Sequence, residues 1–156
     1  MNNIGVIGLG YVGEAIADAY YSQQFYGVIK HDPNKTLNAS NEDLLSCQAI
    51  FVCVPTPRTE DGGCDSSILE SVLDMLSSIN YEGVIISKCT APPDVYEKLN
   101  EEFPNLVHAP EFLTAANATR DYINGRFAII GGKVKAYCNE AERIIRITQR
   151  NLEEVK

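Results

Sequence analysis

The run Gly8-Leu9-Gly10-Tyr11-Val12-Gly13 constrains this chain more than any other stretch. A G-x-G-x-x-G pattern alone is a weak signal. Here a β-branched apolar run at 4–7 precedes it and a helical pattern at 11–24 follows, which is the context the pattern needs. Each glycine answers a steric demand. Gly8 permits a tight turn, Gly10 lets a diphosphate approach the backbone, and Gly13 allows the helix to pack closely on the strand. The amino end of that helix then aims unpaired N–H groups at the phosphates. Asp32 ends the next strand, 24 residues after Gly8. A carboxylate there accepts hydrogen bonds from adenosine ribose hydroxyls and repels a 2′-phosphate, which favours NAD over NADP.

The rest of the chain repeats the strand–helix alternation. Apolar runs at 4–7, 28–29, 49–54, 84–86, 106–107 and 127–130 read as strands. Several are nearly continuous, as strands covered on both faces should be. Helical patterns occupy 11–24, 66–80, 93–102 and 133–155. The last is strongly amphipathic, with Val134, Tyr137, Cys138, Ala141, Ile144, Ile145, Thr148, Leu152 and Val155 on one face. Segment 33–48 is short, and 41–45 is its one helical turn. The expected fold is α/β: a Rossmann-type, doubly wound, mainly parallel six-stranded sheet with helices on both faces. No repeat or linker interrupts it, so residues 1–156 read as a single domain.

Composition removes other classes. A formal charge of −8 argues against a nucleic-acid binder. The five cysteines (Cys47, Cys53, Cys64, Cys89, Cys138) form no C-x-x-C pair, and neither His31 nor His108 sits near a cysteine pair, so no metal site is expected. Free thiols suit a reducing compartment. No apolar run has the length of a membrane span and no signal-peptide pattern opens the chain, so the expected location is the cytoplasm.

Past Asp32 a resemblance sharpens. Val54-Pro55-Thr56-Pro57, then Asp61-Gly62-Gly63 and Asp65-Ser66, resemble the V-P-T-P…D-G…D-x-S signature of the nucleotide-sugar 6-dehydrogenases. Ser87-Lys88-Cys89-Thr90-Ala91-Pro92-Pro93 is similar to their K-S-T-x-P-P-G. Ala109-Pro110-Glu111-Phe112-Leu113 is similar to their N-P-E-F-L. Ala118, Asp121 and Arg126, leading into 127–132, fit the stretch that closes the first domain of this UDP-glucose/GDP-mannose dehydrogenase family. The motifs keep family order across nearly the whole chain, yet they cover the family's NAD-binding domain alone.

The resemblance implies a set of roles. Gly8, Gly10, Tyr11, Val12, Gly13, Asp32, Lys35, Val54, Pro55, Thr56 and Thr90 would hold NAD. Thr90 and Glu111 would be catalytic, Thr90 steadying a water beside the nicotinamide and Glu111 handling protons through it. Glu111, Phe112 and Leu113 would border a nucleotide sugar. Asp65 and Ser66 read instead as a helix cap, Lys88 as a supporting residue, and Cys53 and Cys89 as small apolar groups.

Departures accompany the likeness. Ala115 and Ala116 stand where the family has a glutamate and a glycine, and Asp94 stands for a glycine. The connection from Asp32 to Ala49 is shorter than the family's. The family's lysine, asparagine, nucleophilic cysteine and its aspartate, in a connecting helix and second domain, have no counterpart up to Lys156. Three readings stay open: one part of a split or longer dehydrogenase, a non-catalytic NAD(H)-binding or assembly module, or an inactive relative. A homodimer or a second-domain chain is expected to cover the cleft face, with helix 133–155 as one route.

Overall fold

The computed structural model describes residues 2–24 and 26–156. Five strands form one parallel sheet: β1 (Asn2–Ile7), β2 (Tyr26–His31), β3 (Cys47–Val52), β4 (Val84–Ser87) and β5 (Leu106–His108). Their order is β2-β1-β3-β4-β5. The chain thus winds outward from β1 to β2, returns across β1, and continues through β3 in the other direction. The reversal opens a crevice at the carboxyl ends of β1 and β3, where open α/β sheets bind ligands.

Helices cover both faces. One core packs α1 (Tyr11–Tyr21), α5 (Ala118–Ile123) and α6 (Lys135–Thr148) on the sheet through Ile4, Val6, Phe51 and Ile86. The other packs α2 (Asn41–Leu45), α3 (Ser67–Ser78) and α4 (Pro93–Glu102) through Ile7, Ile50, Val52 and Ile85. Neighbouring residues of one strand feed opposite cores, which is why these strands are apolar at nearly every position. α1 lies close to the sheet because its inward residues are small: Gly13, Ala15, Ala17 and Ala19, with Ile16 and Tyr20 filling the wider gaps. Segment 33–48 holds a 3₁₀ turn, Pro33–Lys35, and the short α2, which Ser40 and Asp43 start with a reciprocal capping box.

Two expectations need correction. The sheet has five strands rather than six. Phe127–Ala128 forms β6 but pairs in parallel with β7 (Glu154–Val155) as a separate two-stranded sheet. The segment reaches β5 through one antiparallel bridge, His108 with Gly131. β5 has three residues between Pro104 and Pro110, so its edge offers little to a further strand.

The last helix ends at Thr148 rather than near 155. Gln149 leaves helical geometry at φ −96°, ψ 70°, and Leu152 folds back into the core. Arg146 donates to the Leu152 carbonyl and Glu153 N–H donates to the Arg126 carbonyl, so the turn is hydrogen-bonded rather than frayed. The apolar face of α6 (Ala141, Ile144, Ile145) is buried within the chain, which takes that face out of use as an intermolecular surface. α5 was not anticipated.

Candidate functional site

The glycine loop is built as its residue types require. Gly8 adopts φ +86°, a left-handed conformation, and a Cβ there would stand 2.7 Å from the Cys53 carbonyl oxygen. A Cβ on Gly13 would stand 1.9 Å from the Gly8 carbonyl oxygen. Gly10 differs: a Cβ there would meet nothing within 4 Å. Its bareness serves no internal packing and leaves the backbone open to the crevice. The first helical bond of α1 runs from Glu14 N–H to Gly10 O. The N–H groups of Tyr11, Val12 and Gly13 are thus left without helical acceptors at the positive end of the helix.

Asp32 is nearly buried beneath this loop. Its Oδ2 accepts from Leu9 N–H at 2.8 Å and its Oδ1 from Asn34 N–H at 3.0 Å. Each oxygen keeps a second lone pair, so the carboxylate is fixed in place and still able to accept two hydroxyls. Between Asp32 and Val54-Pro55 lies a cavity of about 640 Å³. Its floor is Gly8–Val12 and its far wall is α3, through Ile68, Ser71, Val72 and Met75. Such a space, apolar with one fixed carboxylate, suits an adenosine, and the bare loop beside it suits a diphosphate. The α3 wall escaped sequence reasoning; its only signal was the i, i+3, i+4, i+7 spacing of those four residues.

A second cavity of about 700 Å³ adjoins the first across Leu9, Gly10 and Tyr11. Ala115–Arg120 closes it on one side and Lys35 on the other. Lys35 therefore belongs to this cavity rather than to the one holding Asp32. Its Nζ donates to the Leu9 carbonyl and lies 3.3 Å from Glu14. Lys30 donates to Glu14 at 2.8 Å; with Lys35 it holds the Glu14 carboxyl below its ordinary pKa.

The remaining candidates gather at the carboxyl ends of β3, β4 and β5, outside both cavity walls. Thr56 donates its hydroxyl to the Thr90 carbonyl at 2.6 Å, tying the exit of β3 to the exit of β4. The Thr90 side chain is exposed. Glu111 is buried. Its Oε1 accepts from Phe112 N–H, and its Oε2 lies 3.1 Å from Lys88 Nζ in an ion pair whose side chains are 11% and 3% exposed. Lys88 also faces the Tyr122 ring at 5.8 Å. Phe112 is exposed and packs on Phe127, ring centres 4.9 Å apart, while Leu113 is half-buried.

Asp65 caps α3 by accepting from Ser67 N–H, whereas Ser66 turns its hydroxyl to Glu70 instead. Burial raises the thiol pKa of Cys47 to about 11 and pushes those of Cys53 and Cys89 up as well. Among the described residues no His, Cys, Asp and Glu groups cluster as a metal site would need, and no helix is long and apolar enough to cross a membrane.

A glycine turn with an open Gly10, a helix amino end and a fixed carboxylate at a sheet's switch point define a dinucleotide-binding domain of Rossmann type. The chain belongs to the UDP-glucose/GDP-mannose dehydrogenase family: residues 20–149 match its NAD-binding domain, and NAD is the cofactor. A UDP-glucose 6-dehydrogenase of Rickettsia bellii is 31% identical over 140 residues, covering 85% of this chain and 30% of that protein. The chain thus spans under a third of the length of that curated relative.

Solved structures agree on the fold. UDP-D-ManNAc dehydrogenase from Pyrococcus horikoshii superposes with a TM-score of 0.81 at 22% identity, over 99% of this chain and 46% of that one. GDP-mannose dehydrogenase from Pseudomonas aeruginosa does so at 0.76 and 20% identity, over 97% and 45%.

Proposed function

We propose that this chain is the NAD-holding part of a nucleotide-sugar 6-dehydrogenase, with residues 1–156 as one domain and the sugar-gripping and nucleophilic groups supplied outside them. The observation that carries this reading is the crevice at the β1/β3 switch point, with Asp32 and the bare Gly10 on its walls. NAD, when bound, supplies the hydride acceptor. The α1 amino end and Gly10 bind the diphosphate, Asp32 holds the adenosine ribose, and Val54, Pro55 and Thr56 border the cofactor. Thr90 and Glu111 handle the proton released from the sugar alcohol. Lys88 pins Glu111 at the end of β5, so the carboxylate waits in one orientation. Phe112 and Leu113 border the sugar.

The second oxidation in such a reaction needs a thiolate to hold the aldehyde. Cys47, Cys53 and Cys89 are unsuited, because burial favours their neutral thiols. The 156 residues mixed with NAD and UDP-glucose or GDP-mannose should therefore give no NADH absorbance above background. Addition of a separately made second domain of the family should restore it. In that reconstituted enzyme, Glu111→Gln should slow turnover by about 10²-fold or more with NADH affinity unchanged. Steady NADH formation by the 156 residues alone would overturn the division of labour.

Ala115 and Ala116 favour a second reading, a module that binds NAD(H) without turnover, because they put methyl groups rather than a carboxylate on the cavity wall. Under that reading NADH still binds but reconstitution yields no activity. We further propose that the exposed face of Phe112, Phe127 and Ile129 is covered by a second copy or by a second domain of the family. Sedimentation showing a monomer at high concentration, both alone and mixed with that domain, would count against it.

A further inference from the structure

The chain has six arginines. Four commit their guanidinium groups internally: Arg126 to Glu153, Arg143 to Glu140, Arg146 to Glu142 and Arg150 to Gln23. Among the described residues, Arg58 and Arg120 have no hydrogen-bond or ion-pair partner for theirs. Arg120 lines the cavity that meets the Asp32 cavity over Leu9, Gly10 and Tyr11.

We propose that Arg120 is a diphosphate-binding residue of the cofactor site, closing over the glycine loop from the α5 side. The inference rests on reading the crevice as the NAD site and adds a residue that no motif in the chain marked. Charge supports it. The chain carries −8 overall, yet Glu14, the carboxylate that lines this cavity, is already matched by Lys30 and Lys35, and Asp32 faces the other cavity. Arg120, whose guanidinium makes no hydrogen bond or ion pair although Asp121 follows it in the chain, shares that cavity with the helix amino end, an arrangement that suits an anion.

Space supports it too. Ala115, Ala116 and Ala118 keep the cavity wall low, and Gly10 projects nothing into it. The segment is also held. Asp121 accepts from both the N–H and the hydroxyl of Thr114, which locks the approach to α5, and buried Tyr122 anchors that helix in the α1 core. A guanidinium delivered on a fixed helix start can engage a phosphate through two parallel N–H···O bonds, which an ammonium cannot.

The test is titration of the whole chain and of Arg120→Ala, Arg120→Lys and Arg120→Glu with NADH, ADP and adenosine. Arg120→Ala should weaken NADH and ADP by about ten-fold each and leave adenosine unchanged. Arg120→Lys should recover part of the loss, and Arg120→Glu should lose more. Equal ADP affinity in wild type and Arg120→Ala would overturn the inference while leaving the cofactor reading intact. A parallel loss of adenosine binding would also overturn it, because that marks a structural role. A wild-type chain that binds neither NADH nor ADP would overturn the cofactor reading and this inference together.

Discussion

At the scale of single residues, the three glycines of the loop part company. Gly10→Val should fold normally and lose NADH binding, because its side chain enters open space that a diphosphate must use. Gly13→Ala should do the reverse damage: its Cβ meets a backbone carbonyl at 1.9 Å, so α1 must move off β1. That change should cost about 2 kcal/mol or more in urea unfolding. A native urea midpoint for Gly13→Ala would show that the helix can shift freely. Lys88→Met leaves the Glu111 carboxylate buried without its cation and should cost about 3–5 kcal/mol. The double change Lys88→Met with Glu111→Leu should recover most of that, and failure to do so would mean that packing, not charge, is what Lys88 provides.

His108 gives a pH dependence. It stacks on Tyr96 at 3.8 Å, and burial lowers its pKa below the ordinary 6.5. The unfolded chain therefore binds more protons than the folded one between the two values. Stability is full above 6.5 and falls as pH drops below it, until it levels at the folded value. His108→Gln should flatten the fall in stability below pH 6.5. An unchanged slope would show that other groups carry it.

Among the elements, the carboxyl end of α6 was the least readable. The amphipathic pattern runs on through Leu152 and Val155, and no Gly or Pro stops it. Both residues do contribute apolar surface, but from a turn and from β7 rather than from a helix. Periodicity alone cannot separate those cases, because a helix face and a returning chain can present the same residues to one core. Leu152 pins the return, so Leu152→Ala should cost about 2–4 kcal/mol and loosen β6 and β7 together. Hydrogen exchange would read this as faster exchange at Ile130 and Lys156, whose N–H groups donate to Lys156 and Ala128 carbonyls. Protection that persists there would mean that backbone pairing, not the Leu152 side chain, holds the turn.

For the molecule as a whole, the strand order sets where the crevice proposed for the cofactor opens. Because the short connection from Asp32 leads directly into β3, which pairs with β1, the crevice opens beside Asp32 with α3 as its far wall. Asp32 faces that crevice with both oxygens fixed, so NADH should bind more tightly than NADPH by about ten-fold or more, the 2′-phosphate meeting a carboxylate that cannot turn away. Asp32→Ser should narrow the gap. Tighter NADPH than NADH binding by the wild-type chain would sink this reading of Asp32.

Local chemistry alone settled much of this protein. Gly8, Gly10 and Gly13 announce the loop because backbone conformation and close approach are demands on single residues, and Asp32 announces its place because it ends a recognisable strand. The buried strands and α1 declare themselves through apolar runs and periodicity, which any neighbour would satisfy. What the tertiary structure decided is everything that needs two distant segments at once. The pairing of Lys88 with Glu111 depends on β4 and β5 ending side by side. That Arg120 and Gly10 line one cavity depends on α5 packing on α1. The absence of a sixth strand from the main sheet depends on Phe127–Ala128 pairing with β7, which follows the buried Leu152, rather than with β5. None of these carries a local signature, because each is a free-energy choice between contacts that only the folded chain brings within reach.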